Sequence, residues 1–218
     1  MNAMMNAKEL IIRVFPCRNK WTPVDELAFV GEPPLFRPSQ LPVRVSVTFT
    51  WDIPEGERLA RAWGSYYTDV QVGGPAFGDP GGEFVAGRFI KKGVTITSRG
   101  CIKKCPWCFV NLREGMIREL SIKDGWIIQD NNLLACSRKH QEKVFQMLSW
   151  QPERSRFTGG FEATRFTEWH AKWMLKLKPE VTMFAYDTPD DWEPLTVAAN
   201  IMRVYGLIGN SHSIRCYV

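Results

Sequence analysis

At 218 residues the chain is long enough for one large domain or two small ones, and 44% hydrophobic with 23% charged residues is an ordinary soluble, globular composition. No apolar run reaches the length of a membrane span, Val181–Tyr186 being strand-length, and Met1–Leu10 lacks the apolar core of a signal peptide, so the expected location is the cytoplasm and no membrane partner is expected. A net charge of +5 from 28 basic and 23 acidic residues, scattered in short pairs such as Lys91-Lys92 and Lys103-Lys104, is explained by a solvated surface as well as by nucleic acid, which is a partner not favoured.

In chain order, Phe15–Pro42 is rich in Pro and Gly and reads as an irregular, packed lead-in. Val43–Trp51 alternates, with Val43, Val45, Val47, Phe49 and Trp51 on one face of a strand. Glu55–Trp63 is amphipathic, with Leu59, Ala62 and Trp63 inward, and Asp69–Val72 is a second strand that runs into Gly73-Gly74-Pro75 and a Gly/Pro loop. These elements make a small α/β extension over residues 1–91.

From residue 92 to 218 strands and helices alternate, the mark of a parallel sheet. Val94–Ser98 is the first strand and leads into a cysteine cluster; Trp126–Gln129 is the second, ending at Asp130-Asn131-Asn132. Ser137 caps a helix reaching Trp150, with Val144, Phe145 and Leu148 inward. Arg156–Thr158 is the third strand, ending at Gly159-Gly160-Phe161-Glu162, and Thr167 caps a helix whose inner face includes Trp169, Trp173, Met174 and Leu177. Val181–Tyr186 is the fourth strand, ending at Asp187. Asp190-Asp191-Trp192-Glu193 resembles a capping box, with Pro194 in the first turn of the helix that carries Leu195, Ala198, Ile201, Met202 and Tyr205. Ile214–Val218 is the fifth strand.

Three of the six cysteines, Cys101, Cys105 and Cys108, lie in one eight-residue loop spaced C-x3-C-x2-C, and clustered cysteines in a cytoplasmic chain point to a metal rather than to disulfides. Three thiolates can hold three irons of a [4Fe–4S] cubane and leave the fourth iron without a protein ligand. Two alternatives stand beside this open cluster. One is a closed, electron-carrying cluster with Cys136 as fourth ligand. The other is a structural zinc site, although zinc normally takes two ligand pairs and no second pair is present. Either would make the chain a non-catalytic module serving a partner protein.

The loop Ser98-Arg99-Gly100-Cys101-Ile102-Lys103-Lys104-Cys105-Pro106-Trp107-Cys108, after a strand and with an aromatic before the last cysteine, resembles the radical SAM superfamily. The resemblance covers Lys92 to the end. It implies a partial (β/α)6 barrel and S-adenosylmethionine (SAM) chelated by the open iron through its amine and carboxylate. It also implies reductive cleavage of SAM to a 5′-deoxyadenosyl radical that abstracts hydrogen from an unknown substrate, with an electron donor such as flavodoxin or ferredoxin. It places Trp107 near the adenine and the second strand's end, Asp130, Asn131 and Asn132, near the methionyl ammonium. Glu162 is assigned to the ribose, and Asp187 to the SAM or substrate pocket at the sheet's C-terminal edge. Asp130-Asn131-Asn132 resembles the Asp-Asp-Asn variant of a branch that includes cobalamin-dependent members, and the strand–helix–strand before Gly73-Gly74 resembles the tail of a cobalamin domain. The Asp-x-His-x-x-Gly signature is absent, with no histidine before His140, so cobalamin is not expected; nor is methylthiotransfer, which implies a second cysteine triad.

Structural roles are expected elsewhere: His140 as a surface or packing residue, no role for His170 and His212, and Cys216 as a small apolar residue in a buried strand. The barrel of the resembled family has six strands and five are countable. The expectation is therefore a fragment, truncated after strand five, that self-associates through its C-terminal edge.

Overall fold

The structure, a computed structural model, describes residues 10–209 and 214–217. The signal-peptide reading of Met1–Leu10, apart from Leu10, and the positions of His212 and Val218 lie outside the described residues. The chain divides into two compact units, Met1–Gly81 with Gly87–Lys91, and Gly82–Ala86 with Lys92–Val218. Among the described residues no helix is long and apolar enough to cross a membrane.

In the first unit, β1 (Ile12–Phe15), β2 (Ala28–Val30), β3 (Val43–Ser46) and β4 (Val70–Gly73) form an all-parallel sheet in the order β2-β1-β3-β4. β1 is buried throughout, and Val43, Val45 and Val47 face a core closed by α1 (Ile53–Gly64) through Leu59 and Trp63. Pro54 suits the first turn of α1, where its missing N–H has no helical partner to lose. Gly56 lets the helix press on Val47, directly after β3, since a Cβ there would stand 2.4 Å from Val47 Cγ2.

Three sequence expectations change here. The stretch from Phe15 to Pro42 is not wholly irregular: it holds β2, whose three residues are too few for alternation to show, and β1 immediately precedes it. The strand expected over Val43–Trp51 stops at Ser46, because the chain turns into a 3-10 turn at Thr50–Asp52. Phe49 and Trp51 consequently leave the sheet and stand exposed, despite continuing its alternation.

In the second unit, β5 (Val94–Thr95) is followed by a two-stranded antiparallel ribbon, β6 (Ser98–Arg99) with β7 (Arg118–Glu119), which encloses the cysteine loop and a short helix α2 (Val110–Glu114). Next come β8 (Ile127–Ile128), α3 (Arg138–Ser149), β9 (Arg156–Phe161), α4 (Glu168–Leu177), β10 (Val181–Ala185), α5 (Trp192–Val204) and β11 (Ile214–Tyr217). The strands β5, β8, β9, β10 and β11 pair in parallel in that order. The chain is thus a mixed α/β protein with two parallel sheets. The helices bury Val144, Phe145, Leu148, Ala171, Met174, Ala198 and Met202 against Ile128, Phe157, Phe161 and Phe184. Local chemistry sets the helix starts: Ser137 accepts the His140 N–H, and Thr167 forms a capping box with His170.

Four further expectations change. The first strand pairs only over Val94–Thr95, because the Thr97 N–H donates to the Asp130 carboxylate and Ser98–Arg99 turn to β7. The third strand runs on to Phe161, with Gly159 and Gly160 inside it. The capping box before α5 belongs to Thr188 and Asp191 around Pro189–Asp191, upstream of the expected position. Cys216 is exposed rather than buried, because β11 is the outermost described strand.

Candidate metal centre at the cysteine hairpin

Gly100 opens the loop. Its φ of +81° is left-handed, and a Cβ there would lie 2.3 Å from the Met116 carbonyl oxygen, so only glycine passes. The Cys101 N–H donates to the Gly115 carbonyl at 3.1 Å, and the buried Glu114 accepts from the Gly100 N–H (3.2 Å), Arg113 (2.6 Å) and the Asn131 amide (2.5 Å). Glu114 thereby ties the hairpin's return to its start and to the end of β8. Farther along, the Cys108 N–H donates to the Cys105 carbonyl at 3.1 Å, which makes Pro106-Trp107 the corner of a turn.

The sulfurs sit in different surroundings. Cys101 Sγ accepts from the Lys103 N–H at 3.4 Å and the Asn132 side-chain amide at 3.5 Å. The Cys105 thiol donates to Asp187 at 3.5 Å; burial first, and then the Asp187 charge, push its pKa up to about 11. Cys108 is exposed. All three are unbridged thiols on one hairpin. Among the described residues, no three His, Cys, Asp or Glu side chains stand gathered as a ready metal cage.

The C-terminal ends of the parallel strands meet this hairpin, the edge at which ligands collect in such sheets. After β8, Asp130 is 1% exposed, and its oxygens accept from the Thr97 N–H (2.6 Å), the Thr97 hydroxyl (2.5 Å) and the Ser98 hydroxyl (2.8 Å). Burial still pushes its carboxyl pKa up. Asp130 therefore fastens the hairpin's base to β8, and its carboxylate is already spent on that task. The neighbouring Asn132 behaves differently: its amide reaches Cys101 and Glu162 (2.7 Å), while its Oδ1 is buried without a hydrogen-bond partner. After β9, Glu162 accepts from Asn132, from Thr164 (2.8 Å) and from Arg165 (3.0 Å). After β10, Asp187 meets Cys105, and Asp191 pairs with Lys103 at 2.6 Å. Against the burial that would raise it, Lys103 and the N–H groups of Asp187 and Thr188 hold Asp191 below the usual carboxylate range.

The structure therefore brings Cys101, Asn132 and Glu162 together, joins Cys105 to Asp187, and keeps Asp130 and Asn131 in structural bonds. Trp107 stands 86% exposed at the turn's corner. Cys136 lies in the hydrophobic core, where burial pushes its thiol up to about 12. His140 is more enclosed than a surface residue, with Nε2 3.3 Å from the Thr97 hydroxyl. Sequence reasoning missed Glu114, Lys103 and Asp191. The glycine directly before Cys101 was the one local signal of a constrained loop; the three charged residues carry no spacing that marks them.

The donor set fits an iron–sulfur group in chemistry. The loop offers three thiols and N–H groups already directed at one sulfur, which is how proteins support and tune such clusters. An unpartnered buried amide oxygen also waits beside that sulfur. Comparison with protein-family models, with curated proteins and with solved structures finds no match to this chain.

Proposed function

We propose that the chain is a radical SAM enzyme that holds a [4Fe–4S] cluster through Cys101, Cys105 and Cys108. The observation that carries this reading is the placement of the C-x3-C-x2-C thiols on one hairpin at the C-terminal edge of a parallel sheet, with N–H groups aimed at the Cys101 sulfur. Held by these three thiols, such a cluster would supply the electron for reductive cleavage of SAM and so the hydrogen-abstracting chemistry of the proposed reaction.

The chain's own groups divide the remaining work. Glu114 and Gly100 fix the start of the loop, and Asp130 anchors its base to β8. Asn132 steadies the Cys101 sulfur, and its unpartnered Oδ1 accepts an N–H donor such as the methionyl ammonium. Glu162, next to Asn132, accepts ribose hydroxyls, and Asp187 lies toward substrate beside Cys105. Trp107, exposed at the turn, covers the adenine when SAM arrives. The wider reading includes a partial (β/α)6-type barrel, self-association along the edge strand β11, a flavodoxin- or ferredoxin-like donor and a cytoplasmic setting.

Anaerobic reconstitution tests it. The expected protein is brown, binds about four irons and forms 5′-deoxyadenosine from SAM with a reductant. Cys101→Ala, Cys105→Ala and Cys108→Ala each lose the cluster. Zinc retained in place of iron, or a cluster that never cleaves SAM, makes the chain a binding module instead.

A further inference from the structure

In the first unit the order β2-β1-β3-β4 sends the connection from β1 to one side and the connection from β3 to the other. Where neighbouring parallel strands part company in this way, a crevice opens beyond their carboxyl ends, and ligands bind in it. The chain places Pro16-Cys17-Arg18 at one lip and Val47–Trp51 at the other. At that second lip Phe49 and Trp51 stack face to face, with centroids 4.6 Å apart and planes 5° from parallel. Neither belongs to the unit's core, and Trp51 is 73% exposed. Phe77, half exposed, lies on a 3-10 turn packed beside Thr50–Asp52.

The fold does not require this aromatic pair. Strand β3 ends at Ser46, and the hydrophobic cluster closes through Val47, Leu59 and Trp63. A pre-stacked pair with an open indole face is a platform on which a further flat ring gains stacking energy with little ordering. Gly74, after β4, packs directly on the Val47 backbone at the second lip: its φ is +108° and a Cβ would stand 2.8 Å from the Val47 carbonyl oxygen. Arg18, exposed on the β1 lip, makes no hydrogen bond or ion pair among the described residues. The exposed Cys17 thiol on the first lip donates to the carboxylate of Asp52, directly after the second lip, at 3.7 Å.

The geometry points to a second ligand site here: a crevice that binds a planar heteroaromatic ring, of purine or isoalloxazine type, stacked on Trp51, with Arg18 facing an anionic substituent. The site is independent of the cysteine hairpin and of the function proposed for it.

Equilibrium binding of riboflavin, FMN, adenosine and AMP to the full chain tests the inference. At least one should saturate below about 1 mM. Trp51→Ala, a change at an exposed position, should weaken it tenfold or more with an unchanged melting curve. FMN or AMP should bind more tightly than its uncharged counterpart, and Arg18→Ala should erase that advantage. Cys101→Ala should bind as well as the unaltered chain. Absence of saturable binding by all four compounds overturns the proposal. So does affinity that survives both Trp51→Ala and Phe49→Ala, or that falls with Cys101→Ala instead, which would put the ligand on the other unit.

Discussion

The side-chain amide of Asn132 stands 3.5 Å from the sulfur of Cys101, 31 residues away in sequence, and 2.7 Å from Glu162. One amide thus links the hairpin to the ends of β8 and β9. An N–H directed at a cluster-ligating sulfur stabilises the more negative, reduced state.

In the proposed cluster-bound protein, Asn132→Ala should therefore keep the cluster and lower its reduction potential. A hydrogen bond worth about 1 kcal/mol corresponds to roughly 40 mV for one electron. A spectroscopic redox titration of the reconstituted variant measures this. An unchanged potential would show that the amide does not act on the sulfur in the loaded protein.

Asp130→Ala should act on the fold before it acts on any cofactor. It leaves the Thr97 N–H and the Thr97 and Ser98 hydroxyls, all buried, without their acceptor. The expected loss is about 2–4 kcal/mol in denaturant unfolding, accompanied by reduced iron retention. Full stability combined with weakened SAM binding would return Asp130 to direct cofactor contact.

Gly100→Ala and Cys136→Ala should behave in opposite ways. The first forces a side chain into a left-handed position 2.3 Å from a carbonyl oxygen, so the hairpin cannot close as it does and iron content should fall. The second trims a core thiol and should retain iron, with about 1 kcal/mol lost in stability. Iron-to-protein ratios after parallel reconstitution separate them. Loss of iron in Cys136→Ala would favour the closed cluster.

His170 should make the second unit sensitive to acid. Its Nδ1 accepts the Thr167 N–H at 3.0 Å and its Nε2 meets the Gln141 side-chain oxygen at 2.8 Å. Burial holds its pKa down to about 4 from an ordinary 6.5. The unfolded chain therefore takes up a proton across that window while the folded chain does not. The stabilisation is complete above pH 6.5 and declines as pH falls toward 4, by as much as about 3 kcal/mol. Unfolding free energies measured between pH 7 and 4 should slope less in His170→Gln. Equal slopes would remove His170 from the acid response.

The sequence by itself determined the strand–helix alternation beyond residue 92, the caps at Ser137 and Thr167, the inward faces of α3 and α4, and the thiol spacing at 101, 105 and 108. Each is written within a few residues, through periodicity, a capping side chain or a short repeat. What only the tertiary structure decided is which polar groups the fold consumes. Asp130 and Asn132 are two positions apart and read as one motif. Yet Asp130 is spent on Thr97 and Ser98, while Asn132 reaches Cys101 and Glu162. The same applies to Glu114 gripping Gly100 and to Lys103 meeting Asp191, 88 residues apart. It applies also to Phe49 and Trp51, whose alternation continued a strand that the backbone had already left. Hydrogen bonds and exposure depend on which distant segments arrive at a strand end, and local pattern does not encode that.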